Sequence, residues 1–571
     1  MNKIKILLAC VLLGGSACIK AAGVETATEA VKNMGLGWNL GNALEANSQR
    51  VTDVNNAAFW GQQDLSSETC WGQYFTQPGL MKMMKDAGFG AIRVPVTWYN
   101  HMDESGKVDE AWMARVKEIV DYVTGQGLYC IINVHHDTGA DSYSESATLT
   151  GYHWIKADES NYNANKSKFE YLWQQIAETF KDYDGHLLFE GYNEMLDANS
   201  CWNYPSWHPT NAYNATYAAK SLEAVNNYAQ SFVNTVRKTG GNNADRNLIV
   251  CTYAAAAGGN WGHADEVVNQ MKRPEDTTDG HLIFEVHNYP NIEGDYKATV
   301  DYFFDNLTGK LAAKGCPVII GEWGTSNVDK SGQTDYDVRR DKMFEFCDYF
   351  IAKAKANNIA TFYWMGLSDG AARLFPAFNQ PDLAKRLLQA YHGSSYNPTL
   401  PERSDFGSIA CTVDFNQQYA EFNLVQGSFT SNDYIRVMLE LEEAPASGLF
   451  QWNIYGTKNS TKAITAAKSN LSVTADMGTI TRVTLQCLKP SGSARIKSIK
   501  LKKQSGAEVA CDPSVFWGCT MRDVTVSETT GISSIVDDAR QTDDKEYDLL
   551  GRQAQVRKGI AIKGGRKYLL K

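Results

Sequence analysis

The chain has 571 residues, of which 43% are hydrophobic and 21% are charged, and its formal net charge is −10. This length exceeds what one ordinary hydrophobic core fills, so we expect a large unit with smaller additions. The acidic balance disfavours nucleic acid as a partner, because binding to phosphates requires a basic surface. The chain also has 14 Trp and 28 Tyr. Flat aromatic faces with polar edges are well suited to contact sugar rings.

The N-terminal segment, residues 1–22, has the pattern of a secretory signal peptide. Lys3 and Lys5 precede an apolar run from Ile6 to Leu13, and small residues follow it. The run is too short to span a bilayer, and no later segment reaches the roughly 20 apolar residues of a membrane span. We therefore expect a secreted protein, extracellular or at the cell surface. Acylation of Cys18 is the alternative.

Short apolar runs alternate with longer amphipathic stretches over residues 28–398. The eight runs are at 34–40, 91–96, 128–134, 187–193, 248–253, 282–289, 317–323 and 360–366. Between them, stretches such as 110–127, 168–183 and 224–241 have the period of a helix. Apolar strands separated by helices indicate a parallel sheet covered on both faces, and eight units favour the α/β class with a (β/α)8 TIM barrel. The alternative is a Rossmann-like sheet, but no GxGxxG motif follows the first strand.

The sequence pattern changes at residue 402. Residues 402–525 contain short alternating runs separated by turn residues, which predicts a small all-β sandwich. With Trp452, Tyr455 and Trp517 as stacking residues, this domain would bind carbohydrate. Alternatively, these aromatic residues form a core and the domain is a spacer. Residues 526–571 predict a polar, acidic linker followed by a small terminal segment.

Polar side chains stand at the C-terminal ends of the predicted barrel strands, where barrel enzymes place their chemistry. These residues are Arg93, His135, His136, Asn193, Glu194, His287, Tyr289, Glu322 and Trp364. An unpaired buried carboxylate is costly, so packing alone does not explain Glu194 and Glu322 at the ends of strands 4 and 7. Glycoside hydrolysis requires two carboxyl groups that flank the bond, one protonated and one ionised.

The other residues fit supporting roles around this pair. Arg93 would keep the Glu322 carboxylate ionised, and Tyr289 would donate a hydrogen bond to it. The apolar and negative surroundings of Glu194 would raise its pKa, so that it carries a proton near neutral pH. Trp364 would form a stacking floor for a sugar ring.

These stretches resemble glycoside hydrolase family 5, a large group of cellulases and related endoglycanases. The matching stretches are GWNLGNALEA (37–46), IRVPVTW (92–98), INVHHD (132–137), FEGYNEM (189–195), VHNYP (286–290), IIGEWG (319–324) and FYWMG (362–366). The resemblance implies a retaining mechanism with Glu194 as acid/base and Glu322 as nucleophile. The residues that it implies for the rest of the site are Arg93, His135, Asn193, His287, Tyr289 and Trp364, with Asn42, Glu45 and His136 on the non-reducing side of the sugar.

The resemblance implies an O-glycosyl hydrolase, an endo-β-1,4-glucanase that acts on cellulose-type or mixed-linkage β-glucan. Xyloglucan, mannan and xylan are alternative substrates, because loop shape decides between them. The segment 195–217 is longer and richer in aromatic residues than in many relatives. We expect its Trp202 and Trp207 to shape the leaving-group side. We expect the polysaccharide to be the partner and the protein to be a monomer.

Two other classes of protein are less favoured. A non-catalytic glycan-binding protein on the same barrel would lack a carboxylate or the Asn-Glu pair, and both are intact. A metal-dependent hydrolase would need His135, His136 and Asp137 to bind one ion, but adjacent strand residues point to opposite faces. We therefore expect no metal and no other cofactor. The last segment, with YDLLGRQ and GGRKYLLK, resembles the C-terminal sorting segment of type IX secretion cargo.

Overall fold

The computed structural model describes most of the region from residue 24 to residue 570. The described residues are 24–46, 65–69, 71, 73–140, 153–205, 213–325, 333–374, 376–401, 406–424, 429–431, 435–458, 460–465, 471–473, 478–503, 508–509, 516–528, 559–563 and 566–570. The predicted signal peptide at 1–22 and most of the predicted linker lie outside them.

Eight parallel strands close into a barrel, which confirms the predicted fold class. Each strand pairs with the next in chain order, and β8 pairs with β1. The strands are β1 (Leu36–Asn39), β2 (Ala91–Val94), β3 (Tyr129–Asn133), β4 (Leu187–Glu190), β5 (Leu248–Cys251), β6 (Leu282–Asn288), β7 (Val318–Trp323) and β8 (Ala360–Tyr363). Each lies within one of the eight predicted apolar runs, because strands covered on both faces are apolar along their whole length.

Helices surround the barrel and cover its outer face. They are α1 (Ala27–Met34), α2 (Pro78–Ala87), α3 (Glu110–Thr124), α4 (Glu159–Phe180), α5 (Ala215–Lys238), α6 (Glu266–Gln270), α7 (Tyr296–Asn306), α8 (Gln333–Ala356), α9 (Ala371–Leu374) and α10 (Pro381–His392). Two helices begin nine residues before the predicted stretches, α4 at 159 rather than 168 and α5 at 215 rather than 224. The side chains of Asp158 and Asn214 cap the two helices by accepting hydrogen bonds from backbone N–H groups of their first turns. The first turn of α4 (ESNY) is mostly polar and that of α5 (ATYA) is rich in alanine, so neither start shows a clear apolar period.

Helix α1 closes the N-terminal end of the barrel. Its buried residues Ala27, Ala30, Val31 and Met34 share a hydrophobic cluster with the first inward-facing residues of the strands, including Ala91 and Ile131. A capping box at Thr26 and Glu29 fixes the start of this helix. A ligand therefore reaches the barrel interior from the opposite end, where the strands terminate.

After the barrel come two antiparallel sheets, as predicted. One has the strand order β14-β13-β16-β10-β19 with β11 beside β16, and the other has the order β15-β12-β17-β9-β20 with β18 beside β17. The strands are β9 (Phe406–Phe415), β10 (Tyr419–Asn423), β11 (Phe429–Ser431), β12 (Ile435–Glu443), β13 (Ser447–Gly456), β14 (Ser460–Thr465), β15 (Leu471–Val473), β16 (Gly478–Ser491), β17 (Ser493–Lys503), β18 (Glu508–Val509), β19 (Phe516–Trp517) and β20 (Cys519–Glu528). A terminal hairpin follows, β21 (Gly559–Lys563) and β22 (Arg566–Leu570).

The inner faces of the two sheets form one hydrophobic core that includes Trp452. Trp452 is fully buried, so the proposal that it stacks on a sugar is wrong and its alternative, a core aromatic residue, holds. Tyr455 stands near the surface, with the guanidinium of Arg482 at 3.9 Å from its ring centroid. The side chain of Trp517 lies outside the described set.

A short stretch before α2 connects the two units. The 3₁₀ turn Leu65–Thr69 lies against β19 and β20, and Tyr74 is buried in the sandwich core. One residue earlier, Gln73 hydrogen-bonds Asp369 (3.0 Å) and the N–H of Gly370 (2.9 Å) in the loop after β8. The sandwich therefore packs on a segment that is also bound to the open end of the barrel. In the described part of the chain, no helix has the length and apolarity required to cross a bilayer.

Truncation of Trp452 to Ala is expected to destabilise the sandwich by about 3–5 kcal/mol, because it empties a large volume in a closed core. The matched control is Leu449→Ala on the same strand, since Leu449 is 62% exposed. Calorimetry should show a lower melting temperature for the sandwich transition with Trp452→Ala only. Equal, small shifts for both variants would contradict the assignment of Trp452 to the core.

Candidate active site

The structure brings together the two predicted catalytic carboxylates at the open end of the barrel. Glu194 follows β4, and Glu322 is the fifth residue of β7. One oxygen of each lies within 4.8 Å of the other. Their side chains are 23% and 7% exposed, respectively. A separation of roughly 5 Å is typical of retaining glycosidases, whereas inverting enzymes leave room for a water molecule between the carboxyl groups.

Two donors hold the Glu322 carboxylate, one at each oxygen. The Arg93 guanidinium donates from Nη1 to Oε1 at 2.9 Å, and the Tyr289 hydroxyl donates to Oε2 at 2.7 Å. These are the partners that the sequence predicts for the nucleophile. A charge-assisted bond from a fully buried Arg93 favours the ionised form of the carboxylate.

Glu194 has the opposite electrostatic environment. Burial raises its pKa above the ordinary value, and the nearby Glu322 raises it further. A hydrogen bond with His287 Nδ1, at 2.8 Å from Glu194 Oε1, acts in the other direction without reversing the shift. The two carboxyl groups therefore lie in different surroundings: burial favours the protonated form of Glu194, whereas Glu322 accepts from a guanidinium and a hydroxyl.

His287 lies between three carboxylates. Burial alone would lower its pKa, but Glu322, Glu194 and Glu285 outweigh burial and raise the pKa to about 10. Its Nδ1 faces Glu194, and its Nε2 faces Glu285 at 3.4 Å. Each ring nitrogen thus faces a glutamate side chain, and the raised pKa favours the imidazolium form, in which both nitrogens are donors.

Asn193 and His135 complete the polar floor beside Glu322. The Asn193 side-chain oxygen accepts from Arg93 Nη2 at 2.8 Å, and its amide nitrogen is 3.4 Å from His135 Nε2. Burial lowers the pKa of His135 well below its ordinary value, so its imidazole is neutral. Burial also lowers the pKa of His136, to about 3. Neither histidine titrates near neutral pH.

The side of the site predicted to bind the non-reducing end of the sugar contains the aromatic ring of Trp364 and the turn that follows β1. The Trp364 ring is half-buried and parallel to His135, with ring centroids 6.0 Å apart. Asn42 has a positive φ of 58° in the turn that follows β1 and is partly exposed. Glu45 is fully buried and accepts the backbone N–H groups of Asn42 and Ala43. In the structure, Glu45 therefore stabilises the turn that presents Asn42.

The insertion after Glu194 forms a wall together with the loop after β5. Tyr253 ties the two loops, since its hydroxyl donates to the Cys201 carbonyl at 2.7 Å. On this wall, the Tyr213 and His263 rings stack at 3.9 Å. Trp202 lies in the same insertion and is 39% exposed. Trp207, which the sequence also indicates, falls outside the described residues.

The prediction missed several residues that surround the catalytic pair. Glu190 and Glu285 are fully buried next to Arg93, at 2.7 Å and 3.3 Å from its Nε. The signal was available, because each is a Glu inside an apolar strand where an unpaired carboxylate is costly. Trp71, with its ring 5.3 Å from that of His136, had no such signal, since only the folded chain places it there.

Two groups of described residues have ligand atoms within 4.8 Å of one another, as a metal site requires. They are the group Glu194, His287 and Glu322, and the group Glu190, Cys251 and Glu285. In both groups a cation of the chain already faces the carboxylates, His287 in the first and Arg93 in the second. Side-chain cations thus supply the positive charge that a metal ion would bring.

Known proteins match this geometry. The family model for cellulases of glycosyl hydrolase family 5 matches residues 52–369, more than half of the chain. The chain belongs to glycoside hydrolase family 5. This family 5 barrel is 55% identical to that of a solved GH5-4 broad specificity endoglucanase from an uncultured bacterium, with a TM-score of 0.60. That match covers 65% of this chain and 97% of the other.

Two further relatives are similar to this family 5 chain. A solved family 5 enzyme from Prevotella bryantii, in complex with a xyloglucan tetradecasaccharide, is 42% identical over 64% of this chain and 99% of that one, with a TM-score of 0.55. Endoglucanase A of Clostridium longisporum is 30% identical over 361 residues, which are 61% of this chain. This chain spans 60% of the length of that relative.

The contact between His287 and Glu194 predicts the direction in which the pH profile of the enzyme should shift when His287 is replaced. In His287→Gln, the basic limb of kcat/KM should move to higher pH than in the wild type. The reason is that His287 lowers the pKa of Glu194, so without it Glu194 retains its proton further into the alkaline range. Initial rates on a soluble aryl β-cellobioside between pH 4 and 10 measure the limb. A shift to lower pH would contradict the assigned roles.

Proposed function

We propose that this protein is a secreted retaining endo-β-1,4-glucanase. The observation that carries the proposal is the pair Glu194 and Glu322, close together but in opposite electrostatic environments. Family membership supports the same reaction class, since the matched relatives are named endoglucanases.

The residues perform a double displacement. In the first step, a Glu322 oxygen attacks the anomeric carbon, and Glu194 gives its proton to the departing glycosidic oxygen. In the second step, Glu194 takes a proton from water, and that water breaks the bond between the sugar and Glu322. Both glutamates end in their starting protonation states, so no external oxidant, reductant or metal enters the balance.

The substrate is a β-1,4-glucan backbone, with cellulose-type and mixed-linkage chains first. The half-buried Trp364 supplies a flat face beside the reacting sugar, as stacking requires. The complex of the Prevotella bryantii relative supports xyloglucan as a second substrate. We include it because its backbone is the same glucan. Mannan and xylan rank lower.

The proposal also includes export of the protein from the cell and its sorting to the cell surface. The basic and apolar pattern of residues 1–22 supports secretion, and the terminal segment supports surface sorting of the type IX kind. We propose that the enzyme acts as a monomer outside the cell, on a polysaccharide too large to enter it.

Glu322→Gln is expected to lower kcat on soluble β-glucan by roughly 10⁴-fold or more, because a neutral amide does not form the covalent intermediate. Binding of cellotetraose by calorimetry should persist, and circular dichroism should match the wild type. The wild-type enzyme is compared on carboxymethyl cellulose, barley β-glucan, xyloglucan, mannan and xylan. Wild-type rates in Glu322→Gln would overturn the assigned nucleophile. Absence of sugar release from every β-1,4-glucan would overturn the substrate.

Trp202→Ala tests the wall on the leaving-group side. Loss of one stacking face should raise KM for β-glucan by about 3–10-fold, since such contacts contribute roughly 0.5–1.5 kcal/mol. KM for a short aryl β-cellobioside should change little, because it does not extend along that side. The control is Tyr171→Ala on the outer helix α4, where the ring is similarly exposed at 39%. An equal KM increase for both substrates would place Trp202 elsewhere in the cleft.

A further inference from the structure

Beneath the catalytic pair lies a second pair of carboxylates, which the double displacement does not use. Glu190 ends β4 and Glu285 lies in β6, and both are fully buried. Removing two carboxylates from water is costly unless each gains specific partners. Both contact Arg93, but Glu190 holds it by the shorter contact, and only Glu285 also faces His287.

Glu190 is bound to the group that holds the nucleophile. Its two oxygens accept from Arg93 Nε and Nη2, both at 2.7 Å, in a bidentate pair. The Asn133 amide donates a further bond to Glu190 Oε1 at 2.7 Å. A bidentate pair fixes the plane of a guanidinium, so Glu190 determines where Arg93 Nη1 meets Glu322 Oε1.

Glu285 is bound to the group that contacts the acid/base. Its Oε1 is 3.4 Å from His287 Nε2, while His287 Nδ1 is 2.8 Å from Glu194. Its Oε2 accepts a weak bond from the Cys251 thiol at 3.4 Å. Glu285 is also 3.3 Å from Arg93 Nε, which is a longer contact than that of Glu190.

The backbone next to the nucleophile makes room for Glu285. A Cβ atom on Gly321 would lie 1.5 Å from Glu285 Oε1, so a larger residue there would displace the Glu285 carboxylate from its present position. The strand that carries Glu322 is therefore shaped around the Glu285 carboxylate. This close approach is difficult to explain if Glu285 merely fills space.

We propose that Glu190 and Glu285 are positioning residues with separate tasks: Glu190 orients the nucleophile Glu322 through Arg93, and Glu285 orients the acid/base Glu194 through His287. The inference rests on the proposed function. The charge of Glu285 agrees with its task, whereas burial and the neighbouring Glu285 raise the pKa of Glu190 to about 8, so its task rests on the bidentate geometry. Burial would raise the pKa of Glu285, but Arg93 and the bond with His287 outweigh burial and the net shift is downward. Glu285 thus stays ionised beside the imidazolium of His287.

Two substrates with different leaving groups distinguish the two tasks experimentally. A 2,4-dinitrophenolate departs without a proton, so its glycoside needs the nucleophile but not the general acid. A phenyl β-cellobioside needs both. Because kcat/KM reports the first chemical step, comparison of the two glycosides isolates the acid from the nucleophile.

Glu285→Gln should lower kcat/KM for phenyl β-cellobioside by about 10–100-fold, part of the ~10²–10⁴-fold that general acid catalysis contributes. Its kcat/KM for the dinitrophenyl glycoside should fall by less than about threefold, since the nucleophile is intact. Glu190→Gln should lower both by similar factors. The ratio of the two rates does not depend on how much of a preparation is folded, and Glu285→Asp is a second variant if Glu285→Gln yields no soluble protein.

The matched control is Glu68→Gln. Glu68 is also fully buried and pairs with Arg115 at 2.8 Å, away from the catalytic pair. Its rate ratio should equal that of the wild type. If Glu285→Gln slows both glycosides equally, or if Glu190→Gln is selective for the phenyl glycoside, the division of tasks is wrong. If the wild type cleaves neither glycoside, the result contradicts the proposed function itself and not the division of tasks.

Discussion

The active site depends on one buried guanidinium. Arg93 has five N–H donors, and all are engaged: two bind Glu190, and the others bind Asn39, Asn193 and Glu322. Arg93 is fully buried. A buried cation with all donors satisfied has little freedom to move. The position of Glu322, the proposed nucleophile, thus follows from a rigid network that reaches across β1, β2, β4 and β7.

The same network explains how two glutamates at one site take different roles. Arg93 and Tyr289 occupy both oxygens of Glu322, so its anion is stabilised. Glu194 is half-buried and lacks a guanidinium partner among its described contacts, so burial dominates and its pKa is raised. Below the catalytic pair, the cations Arg93 and His287 also face a second pair of carboxyl groups, Glu190 and Glu285. The proposed catalytic pair is therefore linked to two fully buried carboxyl groups, Glu190 and Glu285.

The sandwich and the cleft share one stretch of chain. Tyr74 is buried in the sandwich core, while Gln73 binds the loop after β8 and Trp71 lies beside His136. Three nearby positions thus contact the sandwich core, the loop after β8 and His136. The burial of Trp452 removes one candidate for a stacking surface on the sandwich. The structure gives this domain a contact role at the barrel in addition to any role with glycans.

The amino-acid sequence by itself determined the barrel, the sandwich, and the pair Glu194 and Glu322. These features depend on local patterns: apolar runs of strand length, helical periods between them, and polar residues at strand ends. The early starts of α4 and α5 were missed because the mostly polar first turn of α4 and the alanine-rich first turn of α5 lack that period. Which side chains meet was decided only by tertiary structure. Glu190 and Glu285 come from strands far apart in the chain, and their partnership with Arg93 exists only once barrel closure brings those strands around one interior.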